Sequence, residues 1–290
     1  MGGHHHHHHV DNKNSSRLFV AILVNLFLSL VQFLVGIFTG SLSLIADSVH
    51  NLGDVGSLII AYFAQKISGL KPTKQMTYGF ERAEVIGALI NSILLIATAL
   101  FLIFEAYERI MSPRSVEGFW VIIVGTLAFV IDLFTAFITH KGAKNSVNMR
   151  AAFIHNLSDA LASVGVIVSG VFAMYFQIYW VDILATLCIS IFILFHAYPL
   201  LKSCLKILMQ SAPEDLDIES LKEKILSLDK ITSIDHLHVW QLSDSKKMME
   251  ITIKVKVDNL EELETLKGRV KATLRDVFGI NHTTLEVSLD

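Results

Sequence analysis

The sequence predicts an α-helical membrane bundle of six transmembrane helices, followed by a small cytoplasmic α+β domain of order αββαβ, like a metallochaperone. Three observations predict it. Of the 290 residues, 52% are hydrophobic and only 18% charged, where soluble domains carry about 25% charged residues. Six stretches approach the roughly 20 apolar residues that a helix needs to cross a bilayer. After Gln210-Ser211-Ala212-Pro213 the pattern changes to short helix and strand signals. Residues 1–9, with six consecutive His, read as an expression tag. Residues 10–210 then form the membrane domain and 211–290 the cytoplasmic domain.

The spans fall near 18–38, 42–63, 85–104, 119–139, 151–176 and 181–201. The second and fifth are the least hydrophobic and should face the bundle interior. Lys and Arg set the orientation. Lys13, Arg17, Lys66, Lys71, Lys74, Arg82, Lys141, Lys144, Arg150, Lys202 and Lys206 flank one side. The other has Arg109 and Arg114, offset by Glu105, Glu108 and Glu117. Both termini are therefore expected in the cytoplasm.

In the tail, Asp217 is placed to cap a helix over 218–228, and 231–242 reads as a strand with a turn at Ser243-Asp244-Ser245. In 250–257, Ile251, Ile253, Val255 and Val257 alternate with Glu250, Thr252, Lys254 and Lys256, the mark of a half-buried strand. Asn259, with Glu262 three residues later, resembles a capping box for a helix through Phe278. Gly279 is placed to end it, and 280–289 is the last strand.

One five-residue pattern occurs twice. His50-Asn51-Leu52-Gly53-Asp54 lies in the second span and His155-Asn156-Leu157-Ser158-Asp159 in the fifth. A His and an Asp four apart share one helix face. Two such helices side by side present two imidazoles and two carboxylates to one point, a donor set that suits tetrahedral Zn²⁺. A carboxylate at the centre of a membrane costs roughly 2.5–3.5 kcal/mol even on the lenient insertion scale, so two matched pairs point to a metal site: His50, Asp54, His155 and Asp159.

Other residues take supporting roles. Asp47 shares the face of His50 and Asp54, but the second copy has Ala152 at the matching place. Asp47 is therefore read as supporting the ligands or carrying protons. Asn51 and Asn156 read as helix-contact or ligand-supporting amides. Asp132, deep in the fourth span, is a functional candidate as an intramembrane carboxylate, facing an aqueous path, paired with a neighbour, or protonated and merely satisfied. Asn25 and Gln32 read as helix-contact groups, and Glu81, Arg82 and Glu84 as salt-bridge formers. His140 and His196 have no partner at ligand spacing. In the tail, His236 and His238 share a strand face, as do His282, Glu286 and Asp290. If these two strands are adjacent, His236, His238, His282 and Glu286 could form a second, cytoplasmic metal site. Cys188 and Cys204 stand 16 residues apart, about 24 Å on one helix, and imply no disulfide within the chain.

These residues resemble the cation diffusion facilitator family, in its zinc-transporting, bacterial-type subgroup. The resemblance rests on the six spans, the two His-x-x-x-Asp pairs and further stretches. These are 45–54, 78–91, Ser211-Ala212-Pro213 and Leu237-His238-Val239-Trp240. It covers nearly the whole untagged chain. It implies a homodimeric metal/proton antiporter in which His50, Asp54, His155 and Asp159 bind the transported ion. His50, rather than Asp, at the first position points to Zn²⁺, with Cd²⁺ or Co²⁺ tolerated. Residues 68–75 contain no His, Cys or carboxylate, so no further metal site is expected in that loop. Asp235-His236 reverses the family's usual order before Leu237. The implied setting is a bacterial inner membrane, with metal ions, protons and the lipid bilayer as partners.

A net charge of −3 and the lack of a basic patch exclude a nucleic-acid partner. The sequence has no G-x-x-x-x-G-K-[ST] loop and so no nucleotide site of that kind. Two other classes fit less well. An intramembrane metalloenzyme would keep an open metal position, which four protein ligands do not leave. A membrane-bound sensor would bind zinc without moving it.

Overall fold

A computed structural model describes residues 12–143, 147–244 and 246–289. It does not describe the side-chain surroundings of residues 12–24, 58, 61, 65, 138–143, 147–152, 154 and 155. The expected tag, the side chains of His140 and His155, Ser245 and Asp290 thus lie outside the described residues. Six long helices come first: α1 (Asn12–Thr39), α2 (Leu42–Ser68), α3 (Ala83–Met111), α4 (Gly118–Ala143), α5 (Val147–Val171) and α6 (Trp180–Leu208). Then follow α7 (Ile218–Leu226), β1 (Ile231–Ser243), β2 (Lys246–Val255), α8 (Leu260–Phe278) and β3 (Ile280–Leu289). The chain divides into two compact units. One holds residues up to Ile59 with Asn91–Tyr198, and the other holds Ile60–Ile90 with Pro199–Asp290.

In the first unit, helices turn apolar side chains outward. Phe27, Phe101, Phe134, Leu161 and Phe195 are each more than 60% exposed. Lipid can solvate such surface; water cannot do so cheaply. Among the described residues, 83–111, 118–137, 156–176 and 180–208 are long and apolar enough to cross a membrane, and Asn25–Thr39 is a shorter apolar helix. Four of the six spans expected from the sequence are thus found among the described residues. Asp47, His50 and Asp54 in α2 lower its apolarity for the reason that makes it interesting. Helices α4 and α5 approach closely through glycine. A Cβ on Gly118 would collide with the Gly170 carbonyl, and one on Gly125 would sit 3.2 Å from Ile167 Cγ1. Without a hydrophobic drive between helices in lipid, small residues allow the close backbone packing that holds them. Gly40, at φ +71°, makes the α1–α2 turn. Helix α5 ends in a π-turn at Phe172–Phe176, closed by Gln177 in the left-handed region.

The tail matches the expected α-β-β-α-β order. Asp217 caps α7 by accepting from the Glu219 N–H. Asn259 caps α8 by accepting from the Glu262 N–H, and Gly279 ends it at φ +67°. The capping box is incomplete: Glu262 Oε2 accepts from the Asp258 N–H, one residue short of the cap. The second strand spans Lys246–Val255, not 250–257, because β1 is long and pairs with it from Ser243↔Lys246 onward. Ile251, Ile253 and Val255 are fully buried, as the alternation requires. They pack with Leu221 and Ile225 of α7 and with Leu266, Val270 and Leu274 of α8. The last three recur at four-residue spacing, one apolar helix stripe.

Strand order is β1-β2-β3, with β1–β2 antiparallel and β2–β3 parallel. The expectation that the His strands are adjacent is therefore corrected. The short connection after β1 lets β1 and β2 form an antiparallel pair, while the parallel β2–β3 pair needs a crossover, which α8 supplies. The crossover returns β3 to the far side of β2.

Candidate metal centre

Helix α2 presents Asp47, His50 and Asp54 at three- and four-residue steps, hence on one face. Helix α5 brings Asp159 to the same point. His50 Nε2 lies 3.3 Å from Asp159 Oδ1 and 3.9 Å from Asp54 Oδ2. One ligand atom from each of the three falls within 4.8 Å of the others. Donors about 2.0–2.2 Å from a tetrahedral zinc stand about 3.3–3.6 Å apart, so this spacing needs only small adjustments to close on an ion. The His50 and Asp159 side chains are 9% and 7% exposed, and Asp54 is 35% exposed. Two donors are thus buried and the third is partly exposed. Phe192 of α6 meets the His50 ring edge-on at 5.7 Å between centroids. His155 stands four residues before Asp159 on α5, and its side chain lies outside the described residues.

Polar side chains surround this cluster in the bundle interior. Gln32 of α1 donates to Asp47 Oδ2 at 2.6 Å, and Asn51 donates to Gln32 Oε1 at 3.5 Å. Ser163 of α5 lies 3.4 Å from Asp47 Oδ2 and 3.3 Å from Asp132 Oδ2. A hydroxyl has one proton to give, so it can serve either carboxylate and links the two. Asp132 thus lies within hydrogen-bond reach of Ser163. Asn156 is half-buried on α5. Sequence reasoning passed over Ser163, although its i+4 spacing from Asp159 put it on the motif's face. It also passed over Asp182, a carboxylate at the start of the sixth span.

The expected tail site is not gathered in one place. His236 and His238 do meet, their rings 4.3 Å apart. They pair across β1–β2 with Thr252 and Glu250. Glu286 lies beyond Thr252, whose hydroxyl it accepts at 3.0 Å, and His282 pairs with Met248. With β2 between them, the two sets face each other across an intervening strand. Asp235 is bound to Lys254 at 3.1 Å. The Ser233 hydroxyl, and after it that cation, hold its carboxyl below the usual range. Among the described residues, His50, Asp54 and Asp159 form the one group of three or more such ligands with this geometry. Elsewhere in this unit Glu81 pairs with Lys246, the salt bridge expected of it, and Glu84 accepts from the Ser68 hydroxyl at 2.8 Å.

An apolar-coated helical unit with buried imidazole and carboxylate at its centre, followed by a small three-stranded α+β domain, defines an integral membrane protein of the ion-handling class. Comparison with known proteins gives the family. The cation efflux transmembrane domain matches residues 18–209, and the cation efflux protein cytoplasmic domain matches 213–288. The metal cation efflux system protein CzcD of Cupriavidus metallidurans is 32% identical over 99% of this chain and 90% of its own. The zinc transporter ZitB of Escherichia coli is 29% identical over 98% and 90%. The cadmium, cobalt and zinc/H(+)-K(+) antiporter of Bacillus subtilis is 29% identical over 97% and 91%. The chain belongs to the cation efflux family, the cation diffusion facilitators, which are transporters and not enzymes.

Proposed function

We propose that the protein exports zinc from the cytoplasm in exchange for protons, by alternating access around the α2/α5 cluster. The observation that carries this is the convergence of His50, Asp54 and Asp159 within 4.8 Å inside the helical unit. His155 completes the set as the fourth ligand. Binding requires neutral imidazoles and ionised carboxylates, so metal entering from the cytoplasm displaces protons. Imidazole titrates near neutral pH, so protons arriving from the other side compete with the ion and favour its release. Asp47 and Asp132, joined through Ser163, take the supporting and proton-carrying role, and Asn51 and Asn156 hold the helices that bear the ligands. Cd²⁺ and Co²⁺ are secondary substrates on this reading, in line with the relatives named for them.

In this reading all six long helices span an inner membrane, with both termini in the cytoplasm. Residues 10–210 form the transport domain. Residues 211–290 form a cytoplasmic domain that joins two copies of the chain.

The test uses protein freed of residues 1–9, whose six His bind zinc themselves. Zinc influx and internal pH are followed together in vesicles. Zinc movement with opposite proton movement, lost in Asp159→Ala, is expected. Bound zinc without flux in folded protein would leave a sensor instead, and substrate turnover without flux an enzyme.

A further inference from the structure

Helices α2 and α5 meet along a file of buried polar contacts that leads away from the metal cluster. His50 Nε2 lies 3.3 Å from Asp159 Oδ1. Next, Ser163 Oγ lies 3.4 Å from Asp47 Oδ2. Last, Ser43 Oγ lies 2.9 Å from Ser169 Oγ. These rungs step toward the N-terminus of α2 and the C-terminus of α5. Ser43, Asp47, Ser163 and Ser169 are all fully buried.

Asp182, in the first turn of α6, closes the end of this file. It is fully buried. Its carboxylate accepts from Ser41 Oγ and Ser43 Oγ at 2.6 Å each, and from the Leu42 N–H at 2.7 Å. Ser169 Oγ lies 3.3 Å away. A helix start is usually capped by the residue just before it. Ser41 does so here, accepting from the Leu44 N–H at 3.2 Å, and Asp182, 140 positions away in sequence, adds a second cap at the Leu42 N–H, so that it ties α2, α5 and α6 together. On one side, Asp182 lines a cavity of about 350 Å³ with Arg109, Tyr179 and Trp180. Arg109 also donates to the Gly40 carbonyl in the α1–α2 turn. On the other side, Thr186 and Ser190 continue the Asp182 face of α6 at four-residue steps. Both are fully buried, and Ser190 Oγ has no hydrogen-bond partner among the described residues.

We propose that Asp182 is a latch on the transport path. By capping α2 and drawing Ser43 and Ser169 together, it separates the cavity from the polar file. An ion leaving the cluster toward this end must part a rung only 2.9 Å wide, and the rung parts only when Asp182 releases its donors. The inference rests on the transporter reading, in which this end faces away from the cytoplasm. Asp182 does not touch the ion at the cluster; it is a positioning residue.

The experiment places a reporter behind the latch. Thr186→Cys is made with Cys188→Ser and Cys204→Ala, and its modification by a membrane-impermeant thiol reagent is timed in oriented vesicles. Asp182→Asn keeps the shape but leaves a single oxygen acceptor. Losing a hydrogen bond to a charged group shifts an equilibrium by roughly tenfold or more. Modification of Thr186→Cys from the side away from the cytoplasm should therefore be about tenfold faster in Asp182→Asn, with zinc affinity in detergent within about threefold of the parent. Equal modification rates in folded protein, or faster modification with zinc affinity lost in parallel, would overturn the latch. Should Asp182→Asn fail to fold, Ser41→Ala removes one donor to Asp182 and leaves the carboxylate and the Ser43–Ser169 rung. The same acceleration is expected there, and its absence counts against the proposal. Zinc flux by the parent protein is measured beside these. A parent without flux would sink the transporter reading while the accessibility change still reports on the latch.

Discussion

The tail buries almost only apolar side chains, whereas the membrane helices bury a set of polar ones beside their apolar core. In the tail, the core is Leu221, Ile225, Ile251, Ile253, Leu266, Val270 and Leu274. Ser243 is its one buried polar side chain among the described residues. In the helical unit, Gln32, Asp47, His50, Asp132, Asp159, Ser163, Ser169 and Asp182 are buried while Phe, Leu and Ile face outward. The difference follows from the solvent. Water drives apolar side chains inward in the tail. Lipid gives no such drive, and it makes an unpaired polar group costly, so polar groups in the helices gather inside and pair with each other. A buried polar side chain is thus rare in the tail and part of a paired network in the helices.

The sharpest test of that contrast is His50→Ala. Even a residue that only supports a metal ligand is worth about 10–100-fold in affinity or activity, so loss of a ligand should lower zinc affinity by more than about 100-fold. Retention of a sedimenting, helical protein would show that the site and the fold are separable. The converse change is Ile251→Ala in the fully buried β2. Removal of a core aliphatic side chain costs about 2–5 kcal/mol. Hydrogen exchange should therefore quicken through β1, β2 and α8, with zinc affinity at the cluster unchanged. A parallel fall in that affinity would break the comparison.

A smaller effect is expected where helix packing, not polarity, is at stake. Gly118→Ala places a methyl against the Gly170 carbonyl. Overpacking of this kind costs about 1–3 kcal/mol, read as a lower unfolding midpoint in detergent. Alanine at Gly165, which has no atoms in the way, is the matched control and should leave the midpoint unchanged.

The smallest effect concerns a surface cap. The Ser220 hydroxyl and the Glu219 N–H hold the Asp217 carboxyl below its ordinary value. A carboxyl lowered on folding stabilises the fold at pH above its unfolded value, and that contribution is lost as pH falls through the folded one. Exchange at the first turn of α7 should thus quicken on acidification below about pH 4. Asp217→Ala should show the quick rate at every pH.

Much of this was legible without coordinates. The alternation at 250–257, the Asn259 cap and Gly279 locate β2 and α8 within a few residues, because strand period and helix caps are local chemistry. The His-x-x-x-Asp repeat marks the cluster, because helical spacing and the cost of intramembrane carboxylates are both readable from the chain. The tail site shows where such reading ends. His236, His238, His282 and Glu286 carry the right donors, but strand order depends on how α8 crosses over, which no residue spacing encodes.

By itself, then, the sequence determined the helical and α+β elements, their caps, and the His and Asp residues that seek one another. Only the tertiary structure decided that β2 stands between the His strands, that Ser163 joins Asp47 to Asp132, and that Asp182 caps a helix 140 residues away. Local periodicity follows from the geometry of one backbone. Contacts between distant helices depend on which faces pack together, and that is decided by the whole chain at once.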